Sequence, residues 1–407
     1  MRDDAVASTE RTVTATSYDV VATIEARAPL PARHALSSRA RRGILLLFLT
    51  LAAVATVQRG ILTHNHATFP VFRQSFVHLR AGQDLYAAYP GEQGTEDRDR
   101  FKYSPTAAMF FAPFALLPFV AGLFLWTALN ALALFFAVDR LIPGKNGTVA
   151  LLIVFPALIA AVQSTSSNAL IAALMVASFV TLESARHVRS STAIVAGSLM
   201  KLFPAAAIPF VLLQPKPWRA FAKLAAVMAA LLALPLVVTT PAQLALQYKS
   251  WAAILLGDAG DLVFARSIMV VVRHWTGLAT PNWLFQGAAT LILVTPIALR
   301  RSQWGNPAFR KSLLASLLIY VVIFNHQAEN SSYIIAAVGL AVWYLDSDRS
   351  VIRTLLLVLC LVGLEAIPYT IVWFWLQFDL LDGSRIGGWL ASKFPESAAQ
   401  AGKLNEA

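Results

Sequence analysis

Lys201 is the residue of this sequence whose surroundings point most clearly to chemistry. It interrupts a long apolar stretch, "STAIVAGSLMKLFPAAAIPFVLLQ" (191–214), and is followed by Pro204. An ionisable side chain in such a setting lies at or below a membrane surface, where its charge is costly and an anionic partner is expected. The position therefore predicts that Lys201 binds an anionic group, and a phosphate suits a lysine ammonium.

Other polar residues that could act on a substrate lie in the stretches 64–104, 163–168 and 325–332. Each has a structural alternative, because amides such as Asn168 also suit helix caps or interhelical hydrogen bonds and Asp84 also suits a helix cap. The candidates for substrate contacts besides Lys201 are Asn65, Arg73, Tyr86, Tyr103, Gln163, Asn168 and His326, and the candidates for a catalytic base are His66, Asp84 and Glu329.

A metal site is not favoured by these residues. His326 and Glu329 stand on one side of a helix if a helix extends over them, but one imidazole and one carboxylate suit a polar contact better than a metal. The single cysteine, Cys360, excludes an intramolecular disulfide and makes a thiolate cluster within one chain implausible. The sequence predicts no metal and no cofactor.

Composition places these residues in a membrane protein. The chain has 407 residues, of which 57% are hydrophobic and 14% are charged, and its mean hydropathy is +0.62. A soluble domain carries about 25% charged residues, so the chain is predicted to be a polytopic helical membrane protein. The net charge of +11 then indicates basic loops facing anionic lipid of the bilayer, and not a nucleic-acid partner.

Apolar runs predict an all-α protein with about eleven transmembrane helices. Residues 1–42 are predicted to form a disordered cytoplasmic tail, residues 43–377 the transmembrane domain, and residues 378–407 a C-terminal tail. Residues 191–214 are too long for one clean span and too short for two, which predicts two short helices that meet at "MKLFP". The other predicted spans are 43–62, 120–139, 148–163, 168–184, 220–239, 282–299, 312–325, 332–345 and 354–377.

The stretch "FKYSPTAAMFFAPFALLP" (101–118) decides the orientation of the chain. Its apolar part is short and is broken by Pro105, Pro113 and Pro118. If it does not cross, the short loops rich in Lys and Arg share the side of the Arg-rich N-terminal tail, and "QSTSSN" and "HQAENSS", which lack both, lie on the other side. The positive-inside rule then predicts that the stretch dips in and returns, with a cytoplasmic N-terminus and the candidate residues outside.

A cation at membrane level and carboxylates on the outer face suit the transfer of a sugar from a polyprenyl phosphate. The lipid tail stays in the bilayer, the cation neutralises the leaving phosphate, and a carboxylate deprotonates the acceptor hydroxyl. The alternative is a polytopic transporter or flippase for a lipid-linked or small anionic substrate. Transporters typically have paired halves with matching broken helices, whereas the break at Lys201 has no clear counterpart in this sequence.

Five segments follow one another along the chain: "HLRAGQDLYAAYP", "FKYSPTAAMFFAPFALLPFVAGLFLWTALNAL", "QSTSSNALIAALM", "AGSLMKLFPAAAIPFVLL" and "VVIFNHQAENSSYIIAAVGLAVWYL". In their order and spacing, these segments resemble glycosyltransferase family 87. The resemblance implies a bacterial plasma-membrane enzyme of the C-type glycosyltransferase fold, with a juxtamembrane helix in the first outer loop. It also implies a polyprenyl-phosphate sugar donor, often of mannose, a lipid or glycan acceptor, and a phosphate role for Lys201 in a "K-x-x-P" tip.

The sequence departs from the family in the residue expected to act as general base. Family members commonly carry an acidic residue early in the first outer loop, before the "G-x-D-L-Y" segment. Here no Asp or Glu occurs between Thr63 and Gln83. The role is then left to Asp84, to His66 or to a residue of another loop such as Glu329, unless this branch lacks the usual chemistry.

Overall fold

The computed structural model describes residues 38–63, 68–89, 101–257, 266–278, 280–347, 349–363 and 365–382. Within these ranges the protein is all-helical and contains no strand. Most of the predicted N-terminal tail and almost all of the predicted C-terminal tail lie outside the described residues. The first helix begins at Ser38, within the stretch predicted as tail, and the last helix ends at Leu381.

Seventeen α-helices follow one another along the described part of the chain. Helix α1 continues through a π-helical turn (Gln58–Leu62), and short 3₁₀ helices occur at Phe203–Ala207, Leu234–Val237, Arg301–Gln303 and Asn330–Ser332. The α-helices are α1 (Ser38–Val57), α2 (Phe69–Arg80), α3 (Pro105–Phe110), α4 (Ala112–Ala115), α5 (Phe119–Leu141), α6 (Lys145–Gln163), α7 (Asn168–Glu183), α8 (His187–Met200), α9 (Pro209–Leu212), α10 (Pro217–Ala233), α11 (Pro241–Gly257), α12 (Ile268–Thr276), α13 (Asn282–Leu299), α14 (Pro307–Ile323), α15 (Tyr333–Leu345), α16 (Val351–Gly363) and α17 (Ala366–Leu381).

Several helices have the length and composition of membrane spans. Five in the described ranges are long and apolar enough to cross a bilayer: Arg39–Leu62, Phe119–Leu141, Lys145–Gln163, Pro217–Val237 and Asn282–Leu299. Each coincides with a predicted span, and further apolar helices are shorter. These helices indicate a membrane protein. The predicted single span 354–377 is wrong, because the chain breaks between α16 and α17, with an extended backbone at Glu365.

The stretch 101–118 forms two short helices, as its prolines predict. Pro105 begins α3, where its missing N–H costs no hydrogen bond, and the Ser104 hydroxyl caps the helix by accepting from the Ala107 N–H at 3.2 Å. Helix α3 has 6 residues and α4 has 4, so they rise about 9 Å and 6 Å. Neither can cross a hydrocarbon core of about 30 Å.

The predicted break at "MKLFP" is also present. Helix α8 ends at Met200, and Lys201 has extended dihedral angles (φ −147°, ψ 140°) before the chain folds into the 3₁₀ helix. A Cβ on Gly197 would lie 2.7 Å from the Pro204 ring. Glycine at position 197 therefore lets Pro204 pack directly on α8 and turns the chain back at Lys201.

The core of the bundle lies among α5, α6, α7, α14 and α15. Helix α14 packs against α15, α5 packs against α1 and α7, and α15 packs against α6. The indoles of Trp126, Trp343 and Trp373 are almost completely buried. Trp126 lies in the first turns of α5 and donates its indole N–H to the Thr165 carbonyl at 2.7 Å. The core thereby fixes the loop between α6 and α7, which carries part of the candidate site.

Candidate functional site

Lys201 lies at one end of a chain of hydrogen bonds between side chains. Its Nζ donates to Oδ1 of Asn168 at 2.6 Å, and Nδ2 of Asn168 donates to Oγ of Ser331 at 2.8 Å. The Ser331 hydroxyl donates to Oε2 of Glu329 at 3.2 Å. Asn168 and Ser331 are 0% and 4% exposed, so this relay crosses the protein interior and joins a cation to a carboxylate.

The Lys201 ammonium has hydrogen-bonding capacity to spare. It carries three N–H donors, and in the described part of the chain it uses one, toward Asn168. Its other close neighbour is the Phe203 ring, whose centroid lies 5.4 Å from Nζ. Burial lowers the pKa of Lys201, while the Glu329 carboxylate opposes that change. The residue is a half-buried cation whose remaining N–H donors have no partner in the described part of the chain.

Glu329 is exposed and is held by the start of the 3₁₀ helix Asn330–Ser332. Its side chain accepts from the Ser332 backbone N–H, and the Ser332 hydroxyl accepts from the Glu329 backbone N–H at 3.3 Å. Such a reciprocal capping box satisfies two backbone donors and fixes the side chain. The carboxylate is thus both the helix cap and the end of the relay from Lys201.

His326 stands out because neither of its ring nitrogens has a partner. Both Nδ1 and Nε2 are buried without a hydrogen bond in the described part of the chain. A buried imidazole without partners is costly, so His326 is available to a ligand. It lies in the turn between α14 and Glu329, and the adjoining Ala328 carbonyl accepts from the Arg266 N–H at 2.7 Å.

The loop between α6 and α7 places Asn168 and contains a strained residue. Thr165 has φ 53°, a conformation that β-branched residues rarely adopt. It is held there by the Phe69 N–H, which donates to the Thr165 hydroxyl at 3.0 Å, and by the Trp126 indole. Gln163 contributes its backbone carbonyl, which accepts from Arg59 Nε at 2.9 Å. These contacts bring α1, α2 and α5 to the same end of the bundle.

Tyr86 and Tyr103 have structural roles in this arrangement. The Tyr86 hydroxyl donates to the Tyr103 carbonyl at 2.8 Å, and burial, reinforced by Asp84, raises the pKa of Tyr86. The Tyr103 ring packs on Phe72 with centroids 5.4 Å apart. The next residue, Ser104, donates its backbone N–H to the Leu199 carbonyl at 3.1 Å. This bond joins the first loop to the end of α8 beside Lys201.

The alternative that Asp84 caps a helix is corrected by the structure, because its side chain caps a turn. Its Oδ1 accepts from the Tyr86 N–H at 3.1 Å, and its backbone carbonyl accepts from the Tyr89 hydroxyl at 2.7 Å. The side chain is exposed.

Arg73 lies on α2, where Nη2 reaches the Leu117 carbonyl at 3.5 Å and Nε is buried without a partner in the described part of the chain. Among the described residues, no hydrogen bond or ion pair joins Asp84 or Arg73 directly to Lys201.

Helix α11 fastens this region. The Gln247 amide donates to the Gln83 carbonyl at 2.8 Å and accepts from the Leu85 N–H at 3.1 Å. Further along the same helix, the Trp251 indole donates to the Lys102 carbonyl at 3.2 Å. Helix α11 and the segments around Gln83 and Lys102 therefore form one layer at the end of the bundle that carries Lys201.

Three of the predicted site residues are joined by the relay, and the others are separate from it or not described. Lys201, Asn168 and Glu329 belong to it, whereas Asn65 and His66 lie outside the described residues. Ser331 is the residue that sequence reasoning missed. It lies in the polar segment "HQAENSS", two positions after Glu329, but nothing in that segment identifies its distant partner Asn168. Within the described ranges, no group of three or more His, Cys, Asp or Glu residues is arranged to hold a metal ion.

Comparison with known sequences finds one family. The model of glycosyltransferase family 87 matches residues 101–324, more than half of the chain. The matched region contains Lys201 and Asn168, the loop between α6 and α7, and the short helices α3 and α4. No curated protein matches the chain.

Proposed function

Because the chain belongs to glycosyltransferase family 87, we propose that it transfers a hexose, in the first instance mannose, from a polyprenyl-phosphate sugar to a lipid or glycan acceptor. Family membership makes the protein a glycosyltransferase and sets aside the transporter alternative. The donor, the sugar and the side of the membrane are the proposed part. The donor needs a site that accepts a phosphate at the bilayer surface.

The unused donors of Lys201 carry this proposal. A phosphodiester oxygen binds an ammonium through short, charge-assisted hydrogen bonds, and two of the three Lys201 donors have no partner in the described structure. The surroundings are apolar, with Phe203 and the end of α8 on either side. In such a setting a fixed cation stabilises developing negative charge more strongly than it would in water.

The proposed transfer exchanges one bond at C1 of the sugar for another. The acceptor hydroxyl oxygen attacks C1 of the sugar, and the bond between C1 and the phosphate oxygen breaks. The phosphate leaves with the bonding electrons, and Lys201 compensates its new charge. The hydroxyl proton passes to a carboxylate, which must lie within about 3 Å of the acceptor oxygen or one water away.

Glu329 is the carboxylate that fits this scheme best. The relay connects it to Lys201, and it is exposed to an incoming acceptor. A carboxylate has about four lone-pair sites, of which the Ser331 hydroxyl and the Ser332 N–H use two. The unpartnered ring of His326, three positions earlier, is suited to a sugar or phosphate oxygen. Asp84 is engaged in its own turn, and His66 remains a candidate outside the described residues.

The proposed reaction takes place on the outer face of a bacterial plasma membrane. The N-terminal tail and the basic loops then lie in the cytoplasm, as the positive-inside rule requires. The polyprenyl tail stays in the bilayer, beside the apolar helices around Lys201. This orientation leaves the acceptor to approach from outside, toward Glu329 and His326.

A transfer assay with the purified full-length protein tests the proposal. Polyprenyl-phosphate mannose with a radiolabelled sugar is offered with a lipid extract as acceptor. Lys201→Ala should lower the rate on the order of a hundredfold or more, which is typical when a group that stabilises transition-state charge is removed. Lys201→Arg should retain part of the activity, because the charge stays while the donor geometry changes.

The matched control is Lys249→Ala, which removes an exposed lysine from α11 at the same end of the molecule. This variant should transfer sugar at the wild-type rate. Equal rates for Lys201→Ala and Lys249→Ala would overturn the phosphate role of Lys201. A wild-type protein that transfers no sugar from any polyprenyl-phosphate donor would overturn the choice of donor.

A further inference from the structure

The relay has a fixed direction, because an ammonium can only donate. Lys201 therefore faces the amide oxygen of Asn168, and the amide nitrogen of Asn168 must point the other way, toward Ser331. The Ser331 oxygen accepts this bond, and the hydroxyl proton is left to donate to Glu329. Each group therefore donates or accepts as the hydrogen bond of the preceding group requires.

We propose that Ser331 is a positioning residue that ties Lys201, through Asn168, to Glu329. Its hydroxyl accepts from the Asn168 amide and donates to the Glu329 carboxylate, and no other described group does both. With it, the cation and the carboxylate are held in one geometry although they lie on different segments. This inference rests on the proposed function for its catalytic meaning, but the coupling itself is a property of the folded protein.

The alternative is that Ser331 serves only the local fold. The capping box does not need its hydroxyl, because that motif is completed by the side chains of Glu329 and Ser332. Ser331 instead reaches Asn168, 163 positions away in the sequence. Ser331 is buried to 4% exposure, and its hydroxyl accepts from distant Asn168 while it donates to nearby Glu329, which is the arrangement of a connector.

Two variants and a matched control separate these roles. Ser331→Ala deletes the hydroxyl, and Ser331→Thr restores it. The control is Ser178→Ala, which deletes the hydroxyl of a similarly buried serine. In the described part of the chain, that hydroxyl donates to the Met175 carbonyl of its own helix. Ser331→Ala leaves the buried Asn168 amide without its acceptor and should cost about 1–3 kcal/mol, whereas Ser178→Ala strands no donor and should cost less. Thermal unfolding of the full-length protein in detergent measures this difference, and the readouts below are taken where every variant is folded.

The first measurement needs no substrate. Acetic anhydride acylates neutral amines, so the pH dependence of acylation at Lys201, followed by peptide mass spectrometry, reports its protonation. Glu329 is the carboxylate that stabilises the charged form of Lys201. Without the connector, Glu329 keeps its capping-box bond but loses the bond that holds Oε2 toward the relay, and the Asn168 amide is no longer tied to it. The stabilisation of charged Lys201 then weakens, and the midpoint should move to lower pH by about one unit, a tenfold change in proton affinity. Ser331→Thr should restore the wild-type midpoint.

The second measurement is the transfer rate, which Ser331→Ala should lower about tenfold, as expected for a misplaced catalytic group. Midpoints and rates equal to those of Ser178→Ala would overturn the inference, even if Lys201→Ala is inactive and the proposed function stands. A shifted midpoint in a protein that uses no polyprenyl donor would support the coupling and overturn the donor instead.

Discussion

The two ends of the helix bundle hold their cations in different ways. At one end, here called the ion-pair end, cations contact carboxylates directly. At the other, the site end, Lys201 contacts the amide of Asn168 and Arg73 reaches a backbone carbonyl. The ion pair recorded near the site is Arg266 with Glu365, which is exposed and 4.0 Å long. The pairs of the ion-pair end are Arg41–Asp139, Arg310–Glu183, Lys311–Asp346 and Arg353–Asp379.

This difference indicates that the paired cations of the ion-pair end stabilise the fold, whereas Lys201 is placed to bind a ligand. A buried ion pair satisfies its own charges and leaves nothing for a ligand, as with Arg310 and Glu183, whose side chains are 2% and 4% exposed. A cation held by a neutral amide keeps most of its charge available. The Lys201 site therefore has a standing electrostatic cost, which an anionic substrate would remove.

The largest expected contrast between the two ends is their accessibility. Asn330 and Gly305 are both exposed, and a Cβ on Gly305 meets no atom within 4 Å. A cysteine at position 330 should react with an impermeant thiol reagent added to intact cells, whereas one at position 305 should react only after lysis. The native Cys360 is buried and should give little background. The reverse pattern would invert the orientation and place the site in the cytoplasm.

A second contrast concerns stability. Arg310→Met strands the buried Glu183 carboxylate, which typically costs about 3–5 kcal/mol. Lys201→Met loses a hydrogen bond to a neutral amide but also removes a half-buried charge, so the net change should be about 1 kcal/mol or less. Thermal unfolding in detergent should show a much larger fall for Arg310→Met.

The double variant Arg310→Met/Glu183→Leu is the control for this comparison. Because both charges are then absent, most of the lost stability should return. If the double variant is as unstable as Arg310→Met, packing and not the stranded charge explains the loss. If Lys201→Met unfolds as easily as Arg310→Met, Lys201 is a structural cation and the contrast between the two ends disappears.

Much of the fold could be predicted because apolar residues are required both where a helix faces the lipid and where it faces the protein core. Helix α13 was predicted with its observed ends, at 282 and 299, and prolines predicted the short helices in 101–118. The break between α16 and α17 was missed because the apolar run 354–377 continues across it. The signal was Glu365, a single charged residue within that run, two positions after Gly363.

The site was predictable only where a charge stood in apolar sequence. Lys201 was found in this way, and Asn168 and Glu329 because their loops were polar. Ser331 could not be distinguished from a serine that packs in a helix, since its partner Asn168 is 163 positions away. A hydrogen bond of that range depends on the packing of whole helices. Local sequence carries no record of it.

The smallest expected effect belongs to Asp84→Asn, which decides between the two described candidates for the base. Asparagine keeps the Oδ1 atom that accepts from Tyr86 N–H, so the turn should survive and the change in stability should stay within about 0.5 kcal/mol. Glu329→Gln likewise keeps an oxygen for Ser331 while losing the ability to take a proton. If Glu329 is the base, Asp84→Asn transfers sugar at nearly the wild-type rate and Glu329→Gln loses on the order of a hundredfold or more. The opposite result, measured on variants that unfold at the wild-type temperature, would move the base to the first loop. The relay would then position the phosphate alone, and the carboxylate at its end would serve to keep Lys201 charged.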